Sequence, residues 1–379
     1  MTVPTYYLGD LTTGQITEEL PLSSMQWSKA INQAGGWSAS LSTAHPLVTR
    51  ELLTEGRSVV WVDLDGTLEF GGILWNLRLS PESGMLTLGG EGLWSYFYRR
   101  RIRSTLTYTA VDLFTVVAGL IASAQGVADG NIGMGVTFPT GATSGISRTK
   151  TYPAHERKVY AAEIDALAEA DDGFEYLPTY GWYGSAPFVV LECHHRRRGR
   201  HLGVSWELGR HYSVDGDYER NGAELANQVD GSGSGSGAGQ LYATATGALN
   251  QRKRLDAVTE HKDTTAAPQL QAETNQDLAR LSVVAEAFKL KSLDPDPLPA
   301  DWSVGDEVYV VGELAPGWML DDSYRITAYQ ATVTQDGALS LGVEIQAGVP
   351  LGRPLPTVAQ YQAATREELR RRVSALERR

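Results

Sequence analysis

The stretch Val59–Arg101, VVWVDLDGTLEFGGILWNLRLSPESGMLTLGGEGLWSYFYRRR, decides how the chain is read. It divides into consecutive β-strands. Val60, Val62 and Leu64 alternate with neighbours free to face the other way, the period-two signature of a strand. Asp65-Gly66 supplies a hairpin-type turn. Leu68 and Phe70 alternate with Glu69 until Gly71-Gly72 interrupts the run. Ile73, Trp75, Leu77 and Leu79 then share one side, with Leu74 a further apolar residue on the other. Pro81 to Gly84 turns the chain, and Met85 to Leu88 returns. Alternation, glycine bends and tight turns predict a curved antiparallel sheet of the kind that closes into a small barrel. No residue in the stretch looks chemically activated, which favours a structural module.

Upstream, Thr5 to Leu8 reads as a strand and Asp10 to Gly14 as a turn. Trp27, Ile31 and Ala34 have helical spacing, whereas Trp37, Ala39 and Leu41 alternate. The expectation is a loop and short turn leading into a strand at Trp37–Leu41, so that residues 1–101 form one β-rich unit.

Residues 102–195 change character and read as a small α+β insertion. Leu113, Val116, Val117, Leu120 and Ile121 recur at helical spacing, with Thr109 placed to cap the start and Gly126 the end. Asp129 to Lys150, rich in glycine and threonine, reads as a long loop. Val159 to Ala170 is a second helix, and Phe174–Leu177 and Pro187–Cys193 are strands.

Residues 196–347 return to β character. Ser232 to Gly239 is a flexible low-complexity loop, and Leu241 to Leu255 extends a strand. Leu278, Leu281, Val284 and Ala285 give a helix within 267–287, followed by a strand from Ala287 to Leu293. Val308 and Val310, Tyr324 and Ile326, and then Leu339, Leu341, Val343 and Ile345 alternate as strands, with Asp336-Gly337 as a tight turn. Residues 348–379 are a linker and a C-terminal helix with Leu369, Val373 and Leu376 on one face. Such a helix is too short to be stable alone and would gain from packing against a partner copy. The fold class is therefore α+β, mainly β.

The 379 residues are enough for two or more cored domains, and 42% hydrophobic composition predicts that most of the chain folds. A net charge of -12 argues against general nucleic-acid binding, because affinity for phosphate comes from a basic surface. One cysteine, Cys193, excludes an intrachain disulfide and an all-cysteine metal site. The N-terminus shows no basic start followed by an apolar run, and the apolar segment Val111 to Ala124 is too short to span a membrane. A soluble protein without a membrane anchor is expected.

Several groups invite a chemical reading. Glu192-Cys193-His194-His195 is the densest metal-capable cluster, but adjacent histidines on a strand point to opposite faces, so a strand end with solvated side chains is preferred. The run Arg196-Arg197-Arg198-Gly199-Arg200 reads as a solvated hairpin tip or a salt bridge to a neighbouring subunit rather than a phosphate site. Asp171-Asp172 and Asp321-Asp322 read as turn residues rather than the separated carboxylates of a glycosidase. Cys193 reads as a small residue at the end of a buried strand, not a nucleophile. Gly231 to Gly239 lacks the frame of a phosphate loop. Trp75, Trp94, Tyr96 and Tyr98 could stack on sugars, but their alternation with aliphatics favours a core or a subunit interface. No catalytic residue, metal or cofactor is expected.

The order of features, LTTGQITEEL, WSKAINQAGGWSASLS, LTEGRSVVWVDLDGTLEFGGILWNLRLS and LTLGGEGLWSYFYRRRI, then WSVGDEVYVV and DDSYRITAYQATVTQDGALSLGVEI, resembles the tail-hub or baseplate-hub proteins of tailed bacteriophages. More narrowly it is similar to minor tail proteins of siphophages infecting actinobacteria, over residues 1–347. The resemblance implies two small β-barrel domains, 1–101 and 196–347, with 102–195 peripheral. It also implies a homotrimer at the virion tail tip, made in the host cytoplasm, whose six barrels match a hexameric distal tail protein. The tape-measure protein would end near the lumen, downstream tip or fibre proteins would follow, and DNA would pass through. Leu369, Val373 and Leu376 are the interface candidates. No long C-terminal enzymatic or fibre extension follows, so lysin activity is not implied. An acidic chain suits a lumen that must not grip DNA. The rival expectation is a cell-wall-directed glycan-binding or peptidoglycan-degrading tail module.

Overall fold

The computed structural model describes residues 4–347, apart from 47, 50, 171, 251, 263 and 295–301. The protein is α+β and mainly β, as predicted. It forms two compact units, one from residues up to Ser213 together with Leu290–Glu344, the other from Val214–Lys289 with 345–347.

The larger unit opens with β1 (Pro4–Asp10), β2 (Gln15–Glu19), β3 (Ser24–Ala30), β4 (Gly36–Ser42), β5 (Ser58–Leu64), β6 (Thr67–Ser80) and β7 (Met85–Gly92). They pair antiparallel in the order β3-β4-β7-β6-β5-β1-β2. Asp65 (φ 51) and Gly66 (φ 86) make the β5–β6 hairpin, with Leu64 opposite Thr67, the two left-handed residues of a type I′ turn. Gly71 and Gly72 leave room for tryptophan rings. A Cβ on Gly71 would meet Trp61 at 2.3 Å, and one on Gly72 would meet Trp37 at 2.2 Å. The register shifts between Leu74 and Asn76, so Ile73 and Leu74 are both buried, while Leu79 is 53% exposed. The expected shared side for Ile73 through Leu79 therefore ends at this bulge.

The loop expected before Trp37 is instead β3, whose Met25 and Trp27 are buried at alternate positions. The helical spacing of Trp27, Ile31 and Ala34 misled because long-range pairing overrides local pattern. Both edges of β3 are occupied, one by β4 and the other by a strand from near the end of the described chain.

After a short 3-10 helix (Leu93–Arg99) come β8 (Leu106–Asp112), α1 (Leu113–Gln125), β9 (Met134–Thr137), β10 (Ser147–Tyr152), α2 (Tyr160–Ala168), β11 (Glu175–Tyr183) and β12 (Ala186–His194). The cap of α1 is Asp112, not Thr109, which lies within β8: the Phe114 N–H donates to Asp112 Oδ1 at 2.9 Å. Ser144 and Gly145 donate to the same carboxylate. Burial works against its charge, but these donors outweigh it and hold its pKa below the ordinary range. The segment expected as one long loop carries β9 and the start of β10, which pair with β12 and β8. Trp61 and Ile73 of the sheet, Phe114 and Leu120 of α1, Ile164 of α2, and Tyr176 and Leu191 belong to one hydrophobic core.

Next are β13 (His201–Glu207), β14 (Tyr212–Val214), β15 (Glu219–Asn221), β16 (Gln228–Ser232), β17 (Tyr242–Thr246), β18 (Asp256–Glu260), α3 (Ala267–Leu281), β19 (Ala285–Ser292), β20 (Glu307–Ala315), β21 (Trp318–Val333) and β22 (Leu339–Ala347). In the smaller unit β17-β16-β18 form a sheet packed by α3, where Thr274 sits so close that a Cβ on Gly231 would meet its Oγ1 at 2.1 Å. The helix expected as far as 287 stops at Leu281, and Ala285 starts β19. In the larger unit β21 pairs with β20 along its first half and with β3 along its second, Ala328 opposite Ala30. It also neighbours β22, while β13 pairs with β20. Because β21 fills the outer edge of β3, the first strands cannot close through β3. Among the described residues the pairings run as open paths, and the two closed barrels are not found.

Two outcomes test this packing. A Cβ at Gly90 would lie 1.9 Å from the Ile73 carbonyl oxygen and 2.7 Å from Trp37 Nε1, so Gly90→Ala should lower stability by about 2 kcal/mol, read from urea unfolding. Glu69 accepts from Lys29 Nζ at 3.0 Å and Tyr329 Oη at 3.1 Å. Burial opposes its charge, yet these partners win and depress its pKa. Its stabilisation is thus present above the ordinary carboxylate pKa of about 4.3 and lost as pH falls through the folded value. Glu69→Gln should destabilise at pH 7 and flatten the acid side of the stability curve; superimposable acid limbs would refute this.

Candidate functional site

A network of charged side chains forms where β11 and β12 meet β20 and β21. Glu175 opens β11 beside Phe174 and is 1% exposed; Arg325 lies inside the apolar run of β21 and is 3% exposed. Arg325 Nη1 donates to Glu175 Oε1 at 2.6 Å, and Nη2 donates to Oε2, a two-pronged pair. Two further donors are used: Arg325 Nε reaches the Gly305 carbonyl at 3.0 Å, and Nη2 the Arg198 carbonyl at 2.9 Å. Glu175 Oε2 also accepts the Arg198 N–H at 2.7 Å.

The arginine run continues this arrangement. Arg198 donates to Ser303 Oγ at 2.9 Å, to the Val304 carbonyl and to Glu192 Oε2 at 3.3 Å. Arg197 pairs with Glu307 at 3.2 Å, and the Arg200 N–H donates to Asp306 Oδ1 at 2.8 Å. Arg197 and Arg198 side chains are 17% and 12% exposed. The run is therefore neither a solvated hairpin tip nor, at these two positions, a bridge to another subunit. It clasps β12 to the start of β20 within one chain. Sequence reading found the arginines but not Glu175, Arg325 or Asp306. The available signal was a lone charge inside each of two apolar strands, since such charges stay buried only as a pair.

The Glu192–His195 cluster is partly drawn into the clasp. His194 Nε2 sits 3.5 Å from Glu192 Oε2, with its side chain 12% exposed, so this strand end is not solvated as expected. Burial works against the Glu192 charge, and His194 and Arg198 together more than offset it, leaving its pKa lowered. The neighbouring His195 N–H turns instead to Thr140 Oγ1 at 3.2 Å. Among the described residues no group of three or more His, Cys, Asp or Glu is placed to hold a metal ion. Cys193 is fully buried and its thiol is pushed up by that burial, so it is not poised as a thiolate.

The other candidates are dispersed. Asp172 pairs with Arg148, and Asp171 lies outside the described residues. Asp321 accepts from Tyr309 Oη at 2.6 Å and Asp322 from the Ser323 N–H at 2.7 Å, both exposed on β21. Trp94 is buried, Trp75 donates to Ser95 Oγ at 2.9 Å, Tyr96 to the Gly130 carbonyl at 3.2 Å and Tyr98 to Asp165 at 2.5 Å. These four aromatics serve the core and its margin rather than a sugar platform. In the smaller unit, the glycine-serine segment is pinned by Ser234 N–H to Thr264 carbonyl (2.9 Å) and Leu241 N–H to Ser234 carbonyl (3.0 Å) bonds. Leu369, Val373 and Leu376 lie outside the described residues. Among the described residues no helix is long and apolar enough to cross a membrane.

No family model matches the chain, and no curated protein matches it in sequence. Solved structures share its fold. The 43 kDa tail protein of prophage MuSo2 from Shewanella oneidensis is similar at TM-score 0.61 and 13% identity, over 93% of this chain and 99% of that one. A tail protein from Neisseria meningitidis MC58 is similar at TM-score 0.57 and 12% identity, over 90% and 96%. A type VI secretion component of E. coli, described as structurally similar to the T4 tail proteins gp27 and gp5, gives TM-score 0.50 and 10% identity over 88% and 76%. The chain thus has the fold of phage tail proteins along nearly its whole described length.

The clasp makes a direct prediction. Arg325→Met leaves the Glu175 carboxylate buried without its partner and should cost about 3–5 kcal/mol in urea unfolding. Adding Glu175→Leu should recover most of that loss, because the uncompensated charge is then gone.

Proposed function

We propose that this chain is a structural tail protein of a phage virion, and more narrowly a homotrimeric tail-tip hub rather than an enzyme. The observation that carries the reading is the end-to-end likeness of fold to the prophage tail protein, 93% of this chain against 99% of that one. The description of the secretion-system relative in terms of gp27 and gp5 supports the hub placement. The placement among minor tail proteins of siphophages of actinobacteria rests on the resemblance of the motifs quoted above.

On this reading the mechanism is geometric. Each copy supplies two β-rich segments, within 1–101 and 196–347. Three copies in closed cyclic symmetry therefore offer six such segments to a sixfold distal tail ring while presenting threefold symmetry to the tip. The tape-measure protein and the downstream tip or fibre proteins are the other partners, and the lumen stays closed until DNA is released. The net charge of -12 suits a channel wall that must not retain a polyanion. Leu369, Val373 and Leu376 would add a helical contact between copies.

Light scattering should give three times the 41.1 kDa chain mass. Removing residues 357–379 should shift the protein towards monomer at low concentration, and cell-wall substrate should stay intact. A monomer at every concentration that clears cell-wall substrate would overturn the proposal in favour of the muralytic reading.

A further inference from the structure

Two surface patches of the larger unit carry charged side chains that have no ion-pair partner among the described residues. The first surrounds the segment Tyr98-Arg99-Arg100-Arg101-Ile102-Arg103. Ile102 is fully buried and its N–H is bonded to the Lys158 carbonyl at 2.9 Å, which holds the neighbouring side chains outward. Arg101 and Arg103 are exposed, and Arg157, also exposed, reaches the Arg103 carbonyl at 3.5 Å. Arg99, exposed as well, lies over the Trp75 ring at 4.9 Å. Lys158 is bridged by Glu156 and Glu163, but Arg101, Arg103 and Arg157 have no carboxylate in ion-pair range among the described residues.

The second patch is the β20–β21 hairpin arm. Trp318 is 57% exposed and Met319 62%. Large apolar side chains at a strand tip gain from being covered. Exposed Glu313, Asp321 and Asp322 surround them, and none has a cationic partner among the described residues. Apolar anchors ringed by charge have the composition of an association surface with a polar rim.

We infer that the Trp318–Met319 hairpin arm of one copy docks on the Arg101–Arg103–Arg157 patch of the next copy. This rests on the homotrimeric reading above and assigns its faces. The choice of occupant follows from charge. Twofold pairing of either patch with itself would set arginines against arginines or carboxylates against carboxylates, which is repulsive. Pairing unlike patches satisfies both, and contact between two different surfaces of identical chains is head-to-tail, the kind that closes into a ring by rotation. A phosphate backbone would satisfy the arginines but would be repelled by the acidic arm.

The test is a charge exchange read by mass. Arg103→Glu with Arg157→Glu, and separately Asp321→Arg with Asp322→Arg, should each weaken association about tenfold, with circular dichroism and melting unchanged. Combining all four substitutions in one chain should restore association to near that of the parent, because every interface of the ring then carries a reversed, complementary pair. A parent trimer indifferent to both double variants would overturn this assignment of faces and leave the hub reading standing. A parent that is monomeric at low and at high salt would overturn both. Binding of duplex DNA by the parent, abolished by the arginine variant while the trimer persists, would overturn the assignment in favour of phosphate.

Discussion

One buried ion pair, Glu175 with Arg325, fixes how the two ends of the larger unit meet. Taking both charges out of water is expensive, and the geometry offsets that cost with two prongs between the side chains, two backbone carbonyls on the guanidinium, and a backbone N–H on the carboxylate. Such a pair adds little net stability over an apolar pair of equal volume. What it adds is a single permitted arrangement. A slip of β21 by one residue would turn Arg325 to the opposite face and leave Glu175 unpaired. The clasp of Arg197, Arg198 and Arg200 onto the start of β20 then follows from where that pair must sit.

The same strand organises the sheet at its other end. Beyond Arg325, β21 runs through Ile326 and Ala328 to lie along β3, so one strand joins the charged clasp to the N-terminal layers. Those layers are built on indoles set over glycines, Trp61 on Gly71 and Trp37 on Gly72 and Gly90, with Trp37 Nε1 donating to the Ile73 carbonyl at 3.2 Å. The polar cross-brace of Lys29, Glu69 and Tyr329 ties β3, β6 and β21 together on their partly buried face.

Much of this was legible in local pattern. The hairpins at Asp65-Gly66 and Asp336-Gly337, the strands around Val62 and Ile345 and the apolar face of α1 all rest on contacts between residues close in sequence, where period and turn chemistry speak directly. The failures share a cause. β3 read as a loop because its partner β21 lies far along the chain. The cap of α1 was assigned to Thr109 because the donors from Ser144 and Gly145 that single out Asp112 come from a distant segment. The arginine run read as a surface feature because its partners, Glu175 and Glu307, are on other strands. Gly71 and Gly72 were seen as bends, although their true reason is the ring volume arriving from Trp61 and Trp37.

The pairing of β3 with β21 also shapes how the molecule is made. Gln26 donates to Thr332 across a sequence separation of 306 residues. During synthesis the outer edge of β3 therefore stays open while almost all of the remaining polypeptide leaves the ribosome, roughly a quarter of a minute to a minute at ordinary translation rates. Exposed strand edges recruit other strands. In a host producing many copies at once, that interval exposes each nascent chain to its neighbours on the same polysome before its own last strands exist.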